Sequence, residues 1–277
     1  MNKTLKTLLP LAGGLAAACA AAAFLTAPGR YDKTAAAPFI NRNFAHRGLH
    51  DQRRTVPENS LAAFRLAKEN GYGVELDVHL TLDNKLVVFH DDTTDRVCGV
   101  PGRVEDMSWP QLSALRLCGT DERMPLLREV LELMGGKYPI IVELKRGSRN
   151  VKLCRMVLRE LEQYSGPVCI ESFDPFIVAW FRRHAPGILR GQLTDSPKNL
   201  SKGTPWPESL ALGNLLTNFL ARPQFIAHGP GRKTPLCRLC EAMGALRFAW
   251  TAHSRARERD NNSVIFEFYR PAPKFRD

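Results

Sequence analysis

The octapeptide Gly73-Val74-Glu75-Leu76-Asp77-Val78-His79-Leu80 alternates strictly between apolar and polar side chains after its glycine. A period of two is the spacing of a β-strand, and it divides the side chains between two faces. Val74, Leu76 and Val78 share one face; Glu75, Asp77 and His79 share the other. The apolar face needs helices to cover it. Two acids side by side repel and are costly to bury, so the acidic face needs a cation or an arginine.

Upstream, Phe44-Ala45-His46 ends a first strand, and Ser60 is placed to cap a helix running to about Asn70. Downstream, Asp83-Asn84 makes a turn into a short return strand at 85–89. Segments 108–117 and 126–133 read as helical. Strands are expected at 139–144, 168–172, 188–193, 224–227, 245–251 and 264–268, with helices at 151–164 and 175–184. Alternation of this kind implies a parallel sheet. About eight strands over roughly 230 residues predict a closed α/β TIM (β/α)₈ barrel. A doubly wound open sheet is the alternative. No glycine-rich phosphate loop follows any strand, which counts against its nucleotide-binding versions.

The 277 residues suit one large domain, and 44% apolar content excludes disordered and fibrous classes. The first thirty residues differ. Lys3 and Lys6 precede an uncharged run at 7–29, a pattern of secretion signals and membrane anchors. A retained N-terminal hydrophobic helix, associating the protein with a membrane on an unresolved side, is expected in preference to a cleaved signal or a lipoprotein through Cys19. Segment 1–36 is therefore set apart as anchor and linker, with 30–38 as the linker proper and 37–277 as the barrel domain. The formal charge of +11 fits an anionic partner: a phosphate substrate, acidic lipid or nucleic acid. Arg149, Lys152, Arg155 and Arg159 form a basic stripe, read first as a solvated helix face. Among seven cysteines, Cys154 and Cys169 sit in apolar runs as core residues, and Cys237-x-x-Cys240 is a lone pair and a weak zinc signal.

Catalytic groups of barrels sit at the carboxyl ends of strands. Glu143, inside Ile140-Ile141-Val142-Glu143-Leu144, adds a third acid to Glu75 and Asp77. Three carboxylates at neighbouring strand ends suit one hard divalent cation, Mg²⁺ or Ca²⁺. Lys145 shares the face of Glu143 and can meet a phosphate, and Arg47 can grip one bidentately. His46 and His90 end the first strand and the return strand, where two imidazoles can serve as acid and base. His79 reads as a rim or packing residue. His50, His184, His228 and His253 have no comparable setting, and Asn59 could help order the site. The parts suggest phosphoryl chemistry.

At these residues the sequence resembles the glycerophosphodiester phosphodiesterases. The resemblance runs through Ala45-His46-Arg47-Gly48, Pro57-Glu58-Asn59-Ser60, Glu75-Leu76-Asp77-Val78, Val87-Val88-Phe89-His90-Asp91, Met124-Pro125-Leu126 and Val142-Glu143-Leu144-Lys145. It extends more loosely through Glu171-Ser172-Phe173-Asp174 and Ala249-Trp250-Thr251. It implies a TIM barrel with a small insertion after the second strand, about 90–123 here. It implies metal-dependent hydrolysis of small-molecule glycerophosphodiesters to sn-glycerol 3-phosphate and an alcohol. By position, His46 and His90 would be the acid–base pair, Glu75, Asp77 and Glu143 the metal ligands, and Arg47 and Lys145 the phosphate contacts. Phe173 and Trp250 would line the glycerol end. A lysophospholipase D-like activity, or a tethered binding protein with a dead site, stands as the alternative; nucleic acid is not expected as a partner. The end of the chain departs from the family. Segment 254–262 is short and charged, and the final barrel helix is expected to be missing or replaced by the N-terminal segment. Trp206 and the proline-rich region 197–207 are expected to form a loop over the site.

Overall fold

The computed structural model describes residues 3–276, apart from the side chains of 3–13 and 15. The strands are β1 (Arg42–Ala45), β2 (Gly73–Leu80), β3 (Leu86–Val88), β4 (Ile140–Leu144), β5 (Val168–Ser172), β6 (Leu189–Thr194), β7 (Phe225–His228), β8 (Leu246–Ala252) and β9 (Ser263–Phe266). Their order is β1-β9-β8-β7-β6-β5-β4-β2-β3, and β1 also pairs with β2. That last pairing closes eight parallel strands into a barrel and rules out an open sheet. Only β3 runs antiparallel, as the return strand on β2.

Alternation along each strand builds two cores. Val74, Leu76, Val78, Val142 and Ile170 face outward against the helices. Helix Asn150–Glu162 answers with Leu153, Cys154, Val157 and Leu161 at helical spacing, all buried. Burying each of the larger of these side chains is worth about 1.5–3 kcal/mol. Facing inward, Phe44, Ile141, Cys169, Phe225, Phe248 and Ile265 fill the barrel. Gly73 faces Phe44 so closely that a Cβ would sit 2.7 Å from its ring. The inward rows turn from apolar to polar towards the carboxyl ends: Ile141 leads to Glu143 and Lys145, Cys169 to Glu171, and Ile265 to Glu267.

The insertion has its own small core, where Val97, Val104, Leu112, Leu117 and Met124 pack on Val87 and Phe89. Arg149 departs from the solvated face expected of it: its guanidinium donates to the carbonyls of Leu80 and Thr81 and to Asn84. Lys152, Arg155 and Arg159 are exposed. All seven cysteines are free, and Cys154, Cys169, Cys237 and Cys240 are buried.

The stretch expected as a linker at 30–38 is instead built into the barrel. Ala36 and Phe39 are buried against Phe44 and Leu189. Gln224 donates to the Arg30 carbonyl, and Arg222 to those of Phe24 and Ala27. Helix Lys3–Thr26 packs its end on helices Asn218–Ala221 and Pro235–Ala242. Among the described residues no helix is long and apolar enough to cross a membrane. The anchor expected over 7–29 falls partly on side chains outside that description. The N-terminal segment does not replace the final barrel helix. That place is covered by the tail after β9: Tyr72 donates to the Pro271 carbonyl and Asn43 to that of Ala272, while Tyr269 and Phe275 pack on the core.

Candidate active site

Glu75 and Asp77, within β2, converge with Glu143, near the end of β4, where Asp77 and Glu143 are register partners. All three are buried, and one oxygen from each lies within 4.8 Å of the others. Two cations stand among them. Lys145 Nζ is 2.8 Å from Asp77 Oδ1 and 2.8 Å from Glu143 Oε1. Arg47 Nε is 3.4 Å from Asp77 Oδ2. Burial pushes Asp77 up, but Lys145, His90 and Arg47 outweigh it and hold the carboxyl well below its usual range. Burial and the charges of Asp77 and Glu143 push Glu75 well above it.

Glu171, on β5 beside Glu143, is a fourth buried acid, and its Oε2 has no hydrogen-bond partner. Four carboxylates face Arg47 and Lys145, so a fully ionised set keeps two uncompensated negative charges. An all-oxygen donor set with that charge fits one hard divalent cation. Without one, the cost of burial falls on protonated acids, which is why Glu75, Glu143 and Glu171 are all raised.

The turn after β1 is what brings His46 and Arg47 to this cluster. Arg47 and Gly48 both take left-handed backbone, with φ of 52° and 79°. A Cβ on Gly48 would come within 2.9 Å of the Ala63 backbone, so only glycine fits against that helix. The turn aims the Arg47 N–H at Glu75 Oε2, 3.0 Å away. Asn59 donates to Asp77 Oδ2 at 2.8 Å, so the loop before helix Leu61–Glu69 orients a carboxylate as well as capping through Ser60.

His46 is buried, with Nε2 3.9 Å from Glu75 Oε2. Burial first, then the Arg47 cation, holds it down to about 4, so it is neutral near pH 7. His90 lies across the cluster and shares a cavity of about 540 Å³ with Glu143, Lys145 and Phe173. Its Nδ1 is 2.6 Å from Asp91 Oδ1. Asp91 is held by Arg96, which also donates both terminal nitrogens to Glu58, and Glu58 accepts from Arg47. One chain of ion pairs thus runs from the His90 side to the His46 side. His79 is buried and its Nε2 is 3.2 Å from the His90 carbonyl, a supporting position.

Phe173 and Trp250 meet edge to face, 5.4 Å apart, and line an adjoining cavity of about 460 Å³ with Arg146, Asp195, Thr204 and Glu208. Leu200, Gly203 and Thr204 of the proline-rich region line it, but Trp206 does not; it is largely exposed. Sequence reading gave His50 no setting and passed over Glu267. Both stand beside His46, and Glu267 accepts from both imidazoles. The signal for Glu267 was an acid at the carboxyl end of the last barrel strand, two residues after the inward-facing Ile265.

A family model described as the glycerophosphoryl diester phosphodiesterase family matches residues 46–265. The chain belongs to that family. Its members among curated relatives include a glycerophosphodiester phosphodiesterase of Caldanaerobacter subterraneus subsp. tengcongensis, 35% identical over 162 residues, covering 54% of this chain and 65% of that protein. Human glycerophosphodiester phosphodiesterase 1 is 32% identical over 169 residues, covering 57% of this chain and 50% of that one. The match thus spans between half and just under two thirds of those relatives' length. An Oleispira antarctica phosphodiesterase, solved in complex with the product sn-glycerol-3-phosphate, superposes with a TM-score of 0.66 at 22% identity, over 82% of this chain and 93% of that one. A Thermotoga maritima glycerophosphodiester phosphodiesterase gives 0.60 at 26% identity, over 81% and 93%. These likenesses agree with the barrel seen here.

Proposed function

We propose that this protein hydrolyses glycerophosphodiesters to sn-glycerol 3-phosphate and an alcohol, using Mg²⁺ or Ca²⁺. The observation that carries the reading is the pair of histidines at one buried cluster of acids, His46 at the Glu75 side and His90 in the cavity of Glu143 and Lys145. Glu75, Asp77 and Glu143 would hold the cation, which when bound supplies charge stabilisation for non-bridging phosphate oxygens. Arg47 and Lys145 would turn their guanidinium and ammonium to the phosphate. His46, neutral and buried, is suited to take the proton of the attacking hydroxyl. His90, backed by Asp91, is suited to give a proton to the leaving alkoxide. Phe173 and Trp250 would line the organic end of the substrate.

The test is release of glycerol 3-phosphate from a panel of glycerophosphodiesters by the full chain, with and without EDTA. Turnover that ignores EDTA, or none on any diester with Mg²⁺ or Ca²⁺ supplied, would sink the reading. Association with a membrane through the N-terminal segment is supported by Lys3, Lys6 and the uncharged run at 7–29. Alkaline extraction of membranes that releases all of the protein would refute it.

A further inference from the structure

Behind His46, on the side away from the acids, one carboxylate oxygen is shared by two imidazoles. Glu267 Oε1 lies 3.1 Å from His46 Nδ1 and 3.1 Å from His50 Nε2. Glu267 stands just past β9, which is the register neighbour of β1, so barrel closure itself brings this carboxylate to His46. The matched family segment ends at 265, before it. His50 is held in turn, its ring edge to face with Phe268 at 5.1 Å. His50 and Glu267 border a cavity of about 430 Å³ lined by 48–53, 55 and 266–270, apart from the cavity that holds His90.

An ionised carboxylate only accepts hydrogen bonds. Two nitrogens at hydrogen-bond distance from one of its oxygens must therefore both carry protons. In a neutral imidazole the nitrogen that donates leaves the other as the bare one. With Nδ1 of His46 committed to Glu267, its lone pair is on Nε2, the nitrogen that faces Glu75 and the substrate side. Were Glu267 absent, the proton could sit on either nitrogen and the ring could turn.

We infer that Glu267, braced by His50, is a positioning residue that fixes the tautomer and ring orientation of His46, so that Nε2 is the atom that takes the nucleophile's proton. As the oxygen of the attacking water bonds phosphorus, its proton moves to Nε2, the P–O bond to the alcohol breaks and the leaving oxygen takes a proton from His90. The Nδ1 proton stays on its nitrogen, and Glu267 balances the imidazolium charge until Nε2 gives its proton to solvent, from which His90 regains one. Glu267 itself touches neither substrate nor cation. This rests on the acid–base role given to His46 above, which the test keeps separate.

The experiment compares wild-type protein with Glu267→Ala, the isosteric Glu267→Gln and His50→Ala. Ring-nitrogen signals are assigned to His46 by their loss in His46→Ala, in ¹⁵N NMR of the full chain. Wild type is expected to show the Nδ1–H tautomer at His46, and Glu267→Ala a mixture of both. Glu267→Ala should lower kcat by roughly 10–100-fold, Glu267→Gln by less because its amide oxygen still accepts, and His50→Ala least. KM and the affinity for the cation, followed by calorimetric titration with Ca²⁺, should stay within about twofold, since outer groups of this kind act through orientation. A bare Nδ1 at His46 in wild type, or kcat unchanged in a folded Glu267→Ala protein, would overturn the inference. An inactive wild type would count against the phosphodiesterase reading alone, because the tautomer measurement needs no turnover.

Discussion

His90 takes its carboxylate partner from the next residue, Asp91, whereas His46 takes its own from Glu267, 221 positions along the chain. The first pair is partly open: the His90 side chain keeps 33% of its exposure and that of His46 only 11%. The supports differ in the same sense. Asp91 is braced by Arg96, a residue of the insertion that is itself 41% exposed. Glu267 is braced by His50 inside the turn after β1. A group that protonates a departing alcohol needs access to solvent to recover its proton. A group that must stay bare near neutrality is better kept dry, because burial disfavours its charged form. The barrel supplies the dry site and the insertion the wet one.

The strongest way to break this comparison is to remove each imidazole. His46→Ala and His90→Ala are each expected to lower kcat by ~10²–10⁴. Near-wild-type turnover in either, measured as glycerol 3-phosphate released, would show that the two sides do not divide the work.

Glu58 joins the two sides through Arg47 and Arg96, and Glu58→Gln sharpens the comparison by cutting that link. Burial pushes Glu58 up, but Arg96 and Arg47 outweigh it and bring it from 4.5 to about 2. A carboxyl depressed in the folded state stabilises fully above about 4.5, and that contribution is lost as pH falls through about 2. Wild type should exceed Glu58→Gln at pH 7 by on the order of 3 kcal/mol, and the gap in urea midpoints should close as the solution is acidified through that window. A gap independent of pH would mean that Glu58 is held by packing.

The smallest effect is expected at Arg96. Arg96 is 41% exposed and Arg47 still holds Glu58 in its absence, so Arg96→Ala should cost less than the loss of Glu58, about 1–2 kcal/mol, and less again at high salt. A larger, salt-insensitive loss in urea unfolding would mark the insertion as part of the core.

Local pattern made much of this legible. Period-two alternation put Glu75 and Asp77 on one face, and the same rule placed Glu143 and Lys145. His90-Asp91 could be read because the partners are adjacent. Glu267 could not be paired with His46 and His50 in that way, because only closure of β9 onto β1 brings it to them. The link from Glu58 to Arg96 depends likewise on how the insertion folds over the turn. The segment before β1 misled for a related reason. Its composition resembles a linker, yet Ala36 and Phe39 fill the open lower end of the barrel, a demand set by the volume to be filled. The charged segment before β9 and the tail after it kept too few apolar residues for a helix, and Tyr72 and Asn43 hold the tail by its carbonyls instead.

The position of β9 also has a kinetic side. It is the last strand in sequence and it is wedged between β8, its near neighbour in the chain, and β1, at the other end of the barrel sequence, so closure waits for two distant segments to meet. Contacts of such long range form late, because the entropy of bringing the chain together is spent before they stabilise anything. Helical signal should therefore return early on dilution from denaturant, and hydrolytic competence should lag behind it until Glu267 reaches His46. Time courses of circular dichroism and turnover that superimpose would show instead that the barrel closes in a single step.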